Sequence, residues 1–151
     1  MAVIRLTKEF SFEMAHALSG YDGMCCEIHG HSYRLFVTVA GEPVSDPSDP
    51  KYGMVMDFGM LKKIVSDKVT GVYDHSLLIR RGPDTEEVLE ALGKKFSRVM
   101  AVDYQPTCEN LLLRFAALIA PELPGGVSLF SLRLHETATS YAEWFAGDNI
   151  L

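Results

Sequence analysis

Cysteine is scarce in this sequence, and its distribution excludes a disulfide framework. Three cysteines occur among 151 residues, and two of them, Cys25 and Cys26, are adjacent. Small domains that depend on disulfides carry more cysteines, spaced along the chain. We also find no signal peptide, which would combine a basic start, an apolar stretch and a small-residue cleavage site. We therefore expect reduced thiols and a cytoplasmic location.

Positive charge and long apolar runs are lacking as well. Lys and Arg number 14 against 20 Asp and Glu, which gives a formal net charge of −6. This balance argues against general nucleic-acid binding, which needs a basic surface. It still allows a small anionic substrate held by a few cations or helix N-termini. No apolar run approaches the roughly 20 residues that a membrane span requires.

Apolar periodicity divides the chain into strands and helices. We predict strands over 2–14, 31–40, 127–137 and 139–145. We predict helices over 56–69, 83–100 and 106–126, with Asp57, an Asp84–Glu87 capping box and Thr107 at their N-termini. In the third strand, Phe130, Leu132 and Leu134 form an apolar row that Glu136 extends. This order indicates one α+β domain, with an antiparallel sheet covered by helices on one face.

A histidine pair carries the strongest indication of a site. His29 and His31 lie two residues apart on a predicted strand, so their side chains point to the same face. His16, at the end of the first strand, would supply a third nitrogen if the two strands are neighbours. Three histidines without a fourth protein ligand are typical of a catalytic zinc. Two alternatives remain open: partly buried histidines with backbone partners, and a structural Cys/His zinc site.

Four other features have both a functional and an ordinary structural explanation. Cys25 or Cys26 would become a reactive thiolate near a cation, although free cysteine is more often a small buried residue. Asp74–His75 has the composition of an acid–base pair, although neighbours in sequence often do not touch. Glu136 ends an apolar row, so its carboxylate needs either an internal partner or a ligand with N–H donors. Thr107 and Glu109 fit ordinary helix capping.

In chain order, these segments resemble the 6-pyruvoyl-tetrahydropterin and 6-carboxy-tetrahydropterin synthase family. "FSFEMAHAL" resembles the segment with the first zinc histidine, and "CCEIHGHSY" fits the C-x3-H-G-H motif when the cysteine is Cys25. The remaining matches are "GMVMDFGMLK", "YDHSLL", "PTCEN" and "LHETATSYAEW". The resemblance covers nearly the whole chain, and the combination is far more specific than any single segment.

The resemblance implies a tunnelling fold (T-fold) with a four-stranded antiparallel sheet and two long helices on one face. Residues 1–151 would form one T-fold domain in which 80–104 is a helical insertion. Subunits of this family form trimeric barrels that stack into a homo-hexamer, a dimer of trimers, with active sites at subunit interfaces. The implied partner is a small pterin substrate, 7,8-dihydroneopterin triphosphate, with no nucleic acid and no membrane.

The resemblance also assigns roles to residues. His16, His29 and His31 would hold Zn²⁺, and Cys25 would be the proton-abstracting base. Asp74 and His75 would control protonation. Glu136 would be a catalytic residue that also binds the pyrimidine edge of the pterin, in a pocket that Thr107 and Glu109 help to line.

The short gap between Cys25 and His29 favours the queuosine-pathway lyase, which forms 6-carboxy-5,6,7,8-tetrahydropterin, acetaldehyde and triphosphate. The alternatives are the pyruvoyl-forming synthase, which eliminates triphosphate from the same substrate, and a non-catalytic pterin-binding T-fold protein. Three features depart from the family pattern: Ala17 after the first histidine, His135 before Glu136, and the longer segment 80–104.

Overall fold

The computed structural model describes residues 2–149, and within them the chain forms one six-stranded mixed sheet. The strands are β1 (Ile4–Ala17), β2 (His29–Gly41), β3 (Ser76–Arg80), β4 (Val99–Val102), β5 (Val127–His135) and β6 (Tyr141–Phe145). Their order across the sheet is β4-β3-β1-β2-β5-β6. The pairs β1–β2, β2–β5 and β5–β6 are antiparallel, whereas β3 joins β1 and β4 joins β3 in parallel.

The α+β class is confirmed, but the expectation of a four-stranded, purely antiparallel sheet is wrong for this chain. Four strands do form an antiparallel unit, and β3 and β4 extend it at the β1 edge. Both added strands are short, and β4 follows directly on a segment with helical spacing. Short apolar runs of this kind do not reveal their structure by period alone.

The helices begin largely where the sequence predicts. They are α1 (Phe58–Val65), a π-helical turn (Ser66–Thr70) that leads into α2 (Gly71–Tyr73), α3 (Glu86–Lys95) and α4 (Cys108–Ile119). Asp57 and Thr107 cap α1 and α4 by accepting hydrogen bonds from backbone N–H groups. The predicted capping box of α3 does not form, because α3 starts after Thr85. The Thr85 hydroxyl donates to the Arg80 carbonyl instead.

The core lies between one face of the sheet and the helices α1 and α4. Alternate residues of β1 and β2 point into it, among them Phe12, Tyr33 and Leu35. Leu111 and Phe115 of α4 are fully buried against them. Each such apolar side chain contributes about 1.5–3 kcal/mol on burial, so this core fixes the strand register on which the site depends.

A β-bulge corrects one prediction for β5. Thr38 pairs with Ser131 and Val39 pairs with Leu129, so Phe130 is the additional residue. Leu129, not Phe130, therefore enters the core. The Phe130 ring lies under the Arg5 guanidinium, whose Cζ is 3.7 Å from the ring centroid. Beyond the bulge, Leu132 and Leu134 are buried in the core as predicted, and their row leads to Glu136.

Segment 80–104 contains α3 and β4. Its interpretation as an insertion stays a prediction. No helix among residues 2–149 combines the length and apolar character that crossing a membrane requires.

Candidate metal centre and active site

Strand register brings the three predicted histidines together. In the β1–β2 ladder, His16 lies opposite His29 and Met14 lies opposite His31. Since side chains at alternate positions share a face, all three imidazoles project on the core side of the sheet. One ligand nitrogen of each lies within 4.8 Å of the others. The first two strands are therefore neighbours, which is the condition for His16 to join His29 and His31.

Backbone carbonyls fix the tautomers of two of these rings. His16 Nδ1 lies 2.7 Å from the Pro106 carbonyl oxygen, and His29 Nδ1 lies 2.8 Å from that of Glu27. A carbonyl can only accept, so each Nδ1 carries a proton, and in the neutral ring the lone pair is on Nε2. This arrangement of a ring N–H on a carbonyl is the usual support of a metal-ligating histidine.

The remaining nitrogens fit a cation. His16 Nε2 and His29 Nε2 are 3.0 Å apart, a distance at which two nitrogens repel each other unless they share a proton or a metal ion. His31 Nε2 is buried and has no hydrogen-bond partner among residues 2–149. Burial lowers the pKa of His16 and of His31, which favours the neutral imidazole that metals bind. The cluster could therefore hold a metal ion.

Glu136 faces this cluster from the end of β5. Its Oε1 lies 3.6 Å from His16 Nε2 and 3.7 Å from His31 Nε2. The Tyr33 hydroxyl donates to the same oxygen at 3.4 Å. Burial raises the pKa of Tyr33, so its hydroxyl keeps the proton that it donates. The Glu136 side chain is 29% exposed, so a ligand can reach it.

Asp74 and His75 form a contact that the sequence alone could not establish. Asp74 Oδ2 lies 2.9 Å from His75 Nδ1, and Asp74 Oδ1 accepts from the Glu13 N–H at 2.9 Å. The latter bond, with the contribution of His75, lowers the pKa of Asp74. His75 adopts a positive φ of 59° and donates its own N–H to the Glu13 carbonyl. The pair is thus fixed to the edge of β1.

His75 borders a cavity of about 750 Å³. Ala15, Gly30 and Ser32 form part of its wall, and these residues alternate along the strands with the three histidines. The cavity therefore opens on the face of the sheet away from the imidazoles, and of those histidines only His31 borders it. Leu92 and Phe96 from α3 and its C-terminal end complete the wall.

The adjacent cysteines lie in the loop between β1 and β2. Both thiols are exposed, in a 3₁₀ turn over Met24–Cys26. The Cys25 carbonyl accepts from the Leu18 N–H at 2.9 Å, which holds the loop against the end of β1. Neither cysteine belongs to the candidate metal-ligand cluster found among residues 2–149.

Cys108 is a different kind of thiol. It is buried at the start of α4, and burial raises its pKa to about 11. Its Sγ lies 3.3 Å from the Leu134 carbonyl oxygen. Cys108 is thus a neutral packing residue at ordinary pH.

Thr107 and Glu109 have the ordinary positions of helix-capping residues. The Thr107 hydroxyl accepts from the Asn110 N–H at 3.3 Å, and Glu109 is exposed in the first turn of α4. Their place in a pterin pocket stays a prediction. The preceding residue, Pro106, contributes to the site through its carbonyl, which contacts His16. Sequence reasoning missed this contact because every residue has a backbone oxygen. Tyr33 was also missed, although its parity with His31 placed it on the same face.

Comparison with known proteins agrees with this geometry. The family model for 6-pyruvoyl tetrahydropterin synthase matches residues 5–146. A curated relative from Haemophilus influenzae, named 6-carboxy-5,6,7,8-tetrahydropterin synthase, is 35% identical over 145 residues, which cover 94% of this chain and 99% of the relative. A relative of the same name from Synechocystis is 35% identical over 140 residues, covering 92% and 91%.

Solved structures share the fold. An uncharacterised protein from Wolinella succinogenes, WS1659, superposes with a TM-score of 0.78 at 20% identity, covering 96% of this chain and 99% of that one. The 6-pyruvoyl tetrahydropterin synthase of Caenorhabditis elegans gives a TM-score of 0.66 at 24% identity, with 96% of both chains covered. The match over nearly the whole length, with the histidine cluster in place, shows that this chain belongs to the 6-pyruvoyl tetrahydropterin synthase family of enzymes.

Proposed function

We propose that the protein is a zinc-dependent lyase of queuosine biosynthesis. It would convert 7,8-dihydroneopterin triphosphate and water to 6-carboxy-5,6,7,8-tetrahydropterin, acetaldehyde and triphosphate. The observation that carries this proposal is the cluster of His16, His29 and His31 with the Glu136 carboxylate beside it. The names of the curated relatives and the short spacing from Cys25 to His29 favour the carboxy-forming reaction over the pyruvoyl-forming one.

Zinc is the metal that this donor set fits best. Neutral imidazole suits zinc, and three histidines leave a coordination position for a substrate oxygen. When bound, zinc would supply Lewis acidity toward the hydroxyls of the substrate side chain. His16 and His29 are held for this task by the Pro106 and Glu27 carbonyls, which bind the Nδ1 protons and so make Nε2 the ligand atom of the neutral ring.

The chain's other groups would bind the substrate and move its protons. Cys25, as thiolate, would take a proton from the substrate side chain. His75, oriented by Asp74, would hold or return that proton. Glu136 would accept two N–H groups from the pyrimidine edge of the pterin, a strong charge-assisted contact. Thr107 and Glu109 would line the same pocket.

We propose further that each site is shared between subunits of a homo-hexamer, built as a dimer of trimers. Within one chain, the histidine side chains and the cavity beside His75 lie on opposite faces of the sheet. A neighbouring subunit would therefore supply Asp74 and His75 to the metal site of the first. Such an arrangement would account for the His75 side chain, which is 73% exposed in the single chain.

Product analysis tests the proposed reaction. Purified zinc-loaded protein is incubated with 7,8-dihydroneopterin triphosphate, and the pterin products are identified by mass spectrometry. We expect the carboxy product with stoichiometric acetaldehyde, and no turnover by the Glu136→Gln variant. A pyruvoyl product would establish the alternative synthase. Pterin binding without turnover would establish a non-catalytic protein.

Metal removal separates a catalytic ion from a structural one. The core between the sheet and the helices α1 and α4 is built from apolar side chains, and the three histidines are not part of it. Chelation is therefore expected to abolish turnover while circular dichroism and oligomer size stay unchanged, with recovery on adding Zn²⁺. Unfolding upon chelation would show that the metal is structural.

A further inference from the structure

Arg98 holds the end of the helical segment that leads into the Asp74–His75 turn. Its Nη2 donates to the Val72 carbonyl at 2.8 Å and to the Gly71 carbonyl at 3.3 Å. Both carbonyls belong to α2, the last helical turn before the pair. A helix leaves its final carbonyls without partners inside the helix. A cationic side chain at that end donates to them and is attracted by the helix dipole.

The neighbouring carbonyls of this helix end have partners of their own. The Thr70 carbonyl accepts from the Asp74 N–H at 3.0 Å. The Tyr73 carbonyl accepts from the hydroxyl of Ser76, a buried residue, at 2.5 Å. Arg98 engages the two carbonyls that lie between these, so every carbonyl of the last turn is satisfied, as a stable helix end requires.

The backbone around Arg98 is fixed against the same turn. The Arg98 carbonyl accepts from the Leu77 N–H at 3.0 Å, where β4 pairs with β3. Ser97, Arg98 and Val99 border the cavity beside His75. The strand pairing therefore anchors the residue whose side chain holds the end of α2.

The turn after α2 has a backbone conformation that needs support from its neighbours. His75 has a φ of 59°, in the left-handed region, which is unfavourable for a residue with a side chain and persists only where surrounding contacts enforce it. On the β1 side, the Glu13 carbonyl accepts from the His75 N–H, and the Glu13 N–H donates to Asp74. On the helix side, Arg98 provides the corresponding contacts.

We propose that Arg98 is a positioning residue, which holds the end of α2 and thereby fixes the turn that presents Asp74 and His75 to the reaction. The fixing of the turn depends only on the contacts described above, whereas its effect on turnover rests on the proposed function. Two other roles give different results. An ordinary helix cap would only stabilise the fold, and a cation bordering the cavity would bind the phosphates of the substrate.

Three variants separate these roles. Arg98→Met removes the charge and every N–H donor and keeps an aliphatic side chain; Arg98 is exposed, so the core stays intact. Arg98→Lys is the conservative variant, because both hydrogen bonds come from one nitrogen and an ammonium can also donate twice. Arg81→Met is the matched control. Arg81 is exposed in the same segment, and its backbone N–H, which the substitution keeps, donates to the Val102 carbonyl.

The first experiment is hydrogen exchange of the assembled protein, followed by mass spectrometry of its peptides. We expect Arg98→Met to speed exchange over 71–77 about tenfold, because the hydrogen bonds of the Asp74 and His75 N–H groups open more often. Exchange over 108–119, in α4, should match wild type. Arg98→Lys should stay within about threefold of wild type over 71–77, and Arg81→Met should cause no change. Unchanged exchange over 71–77 in Arg98→Met would overturn the proposal.

The second experiment measures kcat and KM for 7,8-dihydroneopterin triphosphate. We expect Arg98→Met to lower kcat about tenfold and to leave KM within about twofold of wild type, since a displaced proton-transfer group slows the reaction without weakening substrate binding. Arg98→Lys should recover most of the loss. In a His75→Ala background, Arg98→Met should cause no further loss, because it acts through that residue.

The kinetic result also identifies the other two roles. A raised KM with unchanged kcat would make Arg98 a substrate-binding residue. An unchanged kcat with a lower unfolding temperature would make it an ordinary helix cap. Either result overturns the proposal. If wild type does not turn over this substrate, the proposed function fails, and hydrogen exchange over 71–77 alone decides whether Arg98 fixes the turn.

Discussion

Cys25→Ala is expected to lower turnover of 7,8-dihydroneopterin triphosphate by about 10²–10⁴-fold and to leave the zinc content unchanged. A positioned general base contributes about that factor, and alanine offers no group that can accept a proton. Bound zinc should stay because the candidate metal-ligand cluster found within residues 2–149 contains three histidines and no cysteine. The measurements are steady-state kinetics and metal analysis of the purified variant.

Cys26→Ala is the matched control, since it removes a thiol from the same turn. Both cysteines are exposed in Met24–Cys26, so neither substitution opens a cavity in the core. We expect Cys26→Ala to change turnover less than about threefold, as is usual for a surface site outside the chemistry. A larger loss of turnover at Cys26 than at Cys25 would show that Cys26, and not Cys25, is the base. Loss of zinc in either variant would make that sulfur a metal ligand.

The histidine cluster was predictable because it depends on the simplest rule of β-structure. Side chains two residues apart on a strand share a face, so His29 and His31 had to project together. His16 shared parity with the buried residues Phe12 and Met14, and an antiparallel neighbour was the natural place for the next strand. The caps at Asp57 and Thr107 were equally local, and both form.

The parts that were not predictable depend on long-range pairing. Strand β4 joins the sheet through β3, and no local pattern in 99–102 signals that partner. The bulge at Phe130 moves one residue out of an alternation that looked regular. The contact of Asp74 with His75 needs the positive φ of His75 and the Glu13 backbone. Each of these features is decided by a segment distant in sequence.

The tautomers of His16 and His29 show a further limit of sequence reasoning. They are set by the carbonyls of Pro106 and Glu27, and a carbonyl is present at every residue. Only the folded chain shows which one is near. The motif around Thr107 therefore contributes to the histidine cluster through its proline carbonyl, whereas the Thr107 hydroxyl is engaged in capping α4.

Mixing two inactive variants is expected to restore activity if the site is shared between subunits. Cys25→Ala keeps an intact Asp74–His75 pair, and His75→Ala keeps an intact cysteine and histidine cluster. When equal amounts of the two chains assemble at random, one interface in four joins an intact cysteine side to an intact His75 side. Co-expressed oligomers should therefore recover about a quarter of wild-type turnover per chain, although each variant alone is nearly inactive.

The control is a mixture of Cys25→Ala with the double variant Cys25→Ala/His75→Ala, in which no interface carries both groups. Activity in this mixture would mean that a group other than Cys25 serves as the base. Absence of recovery in the first mixture, with mixed oligomers verified by two affinity tags, would place both halves of the site in one chain. The sheet would then have to bring His75 to the face that carries the imidazoles. That requires His75 to leave its hydrogen bond with the Glu13 carbonyl, which holds it at the edge of β1.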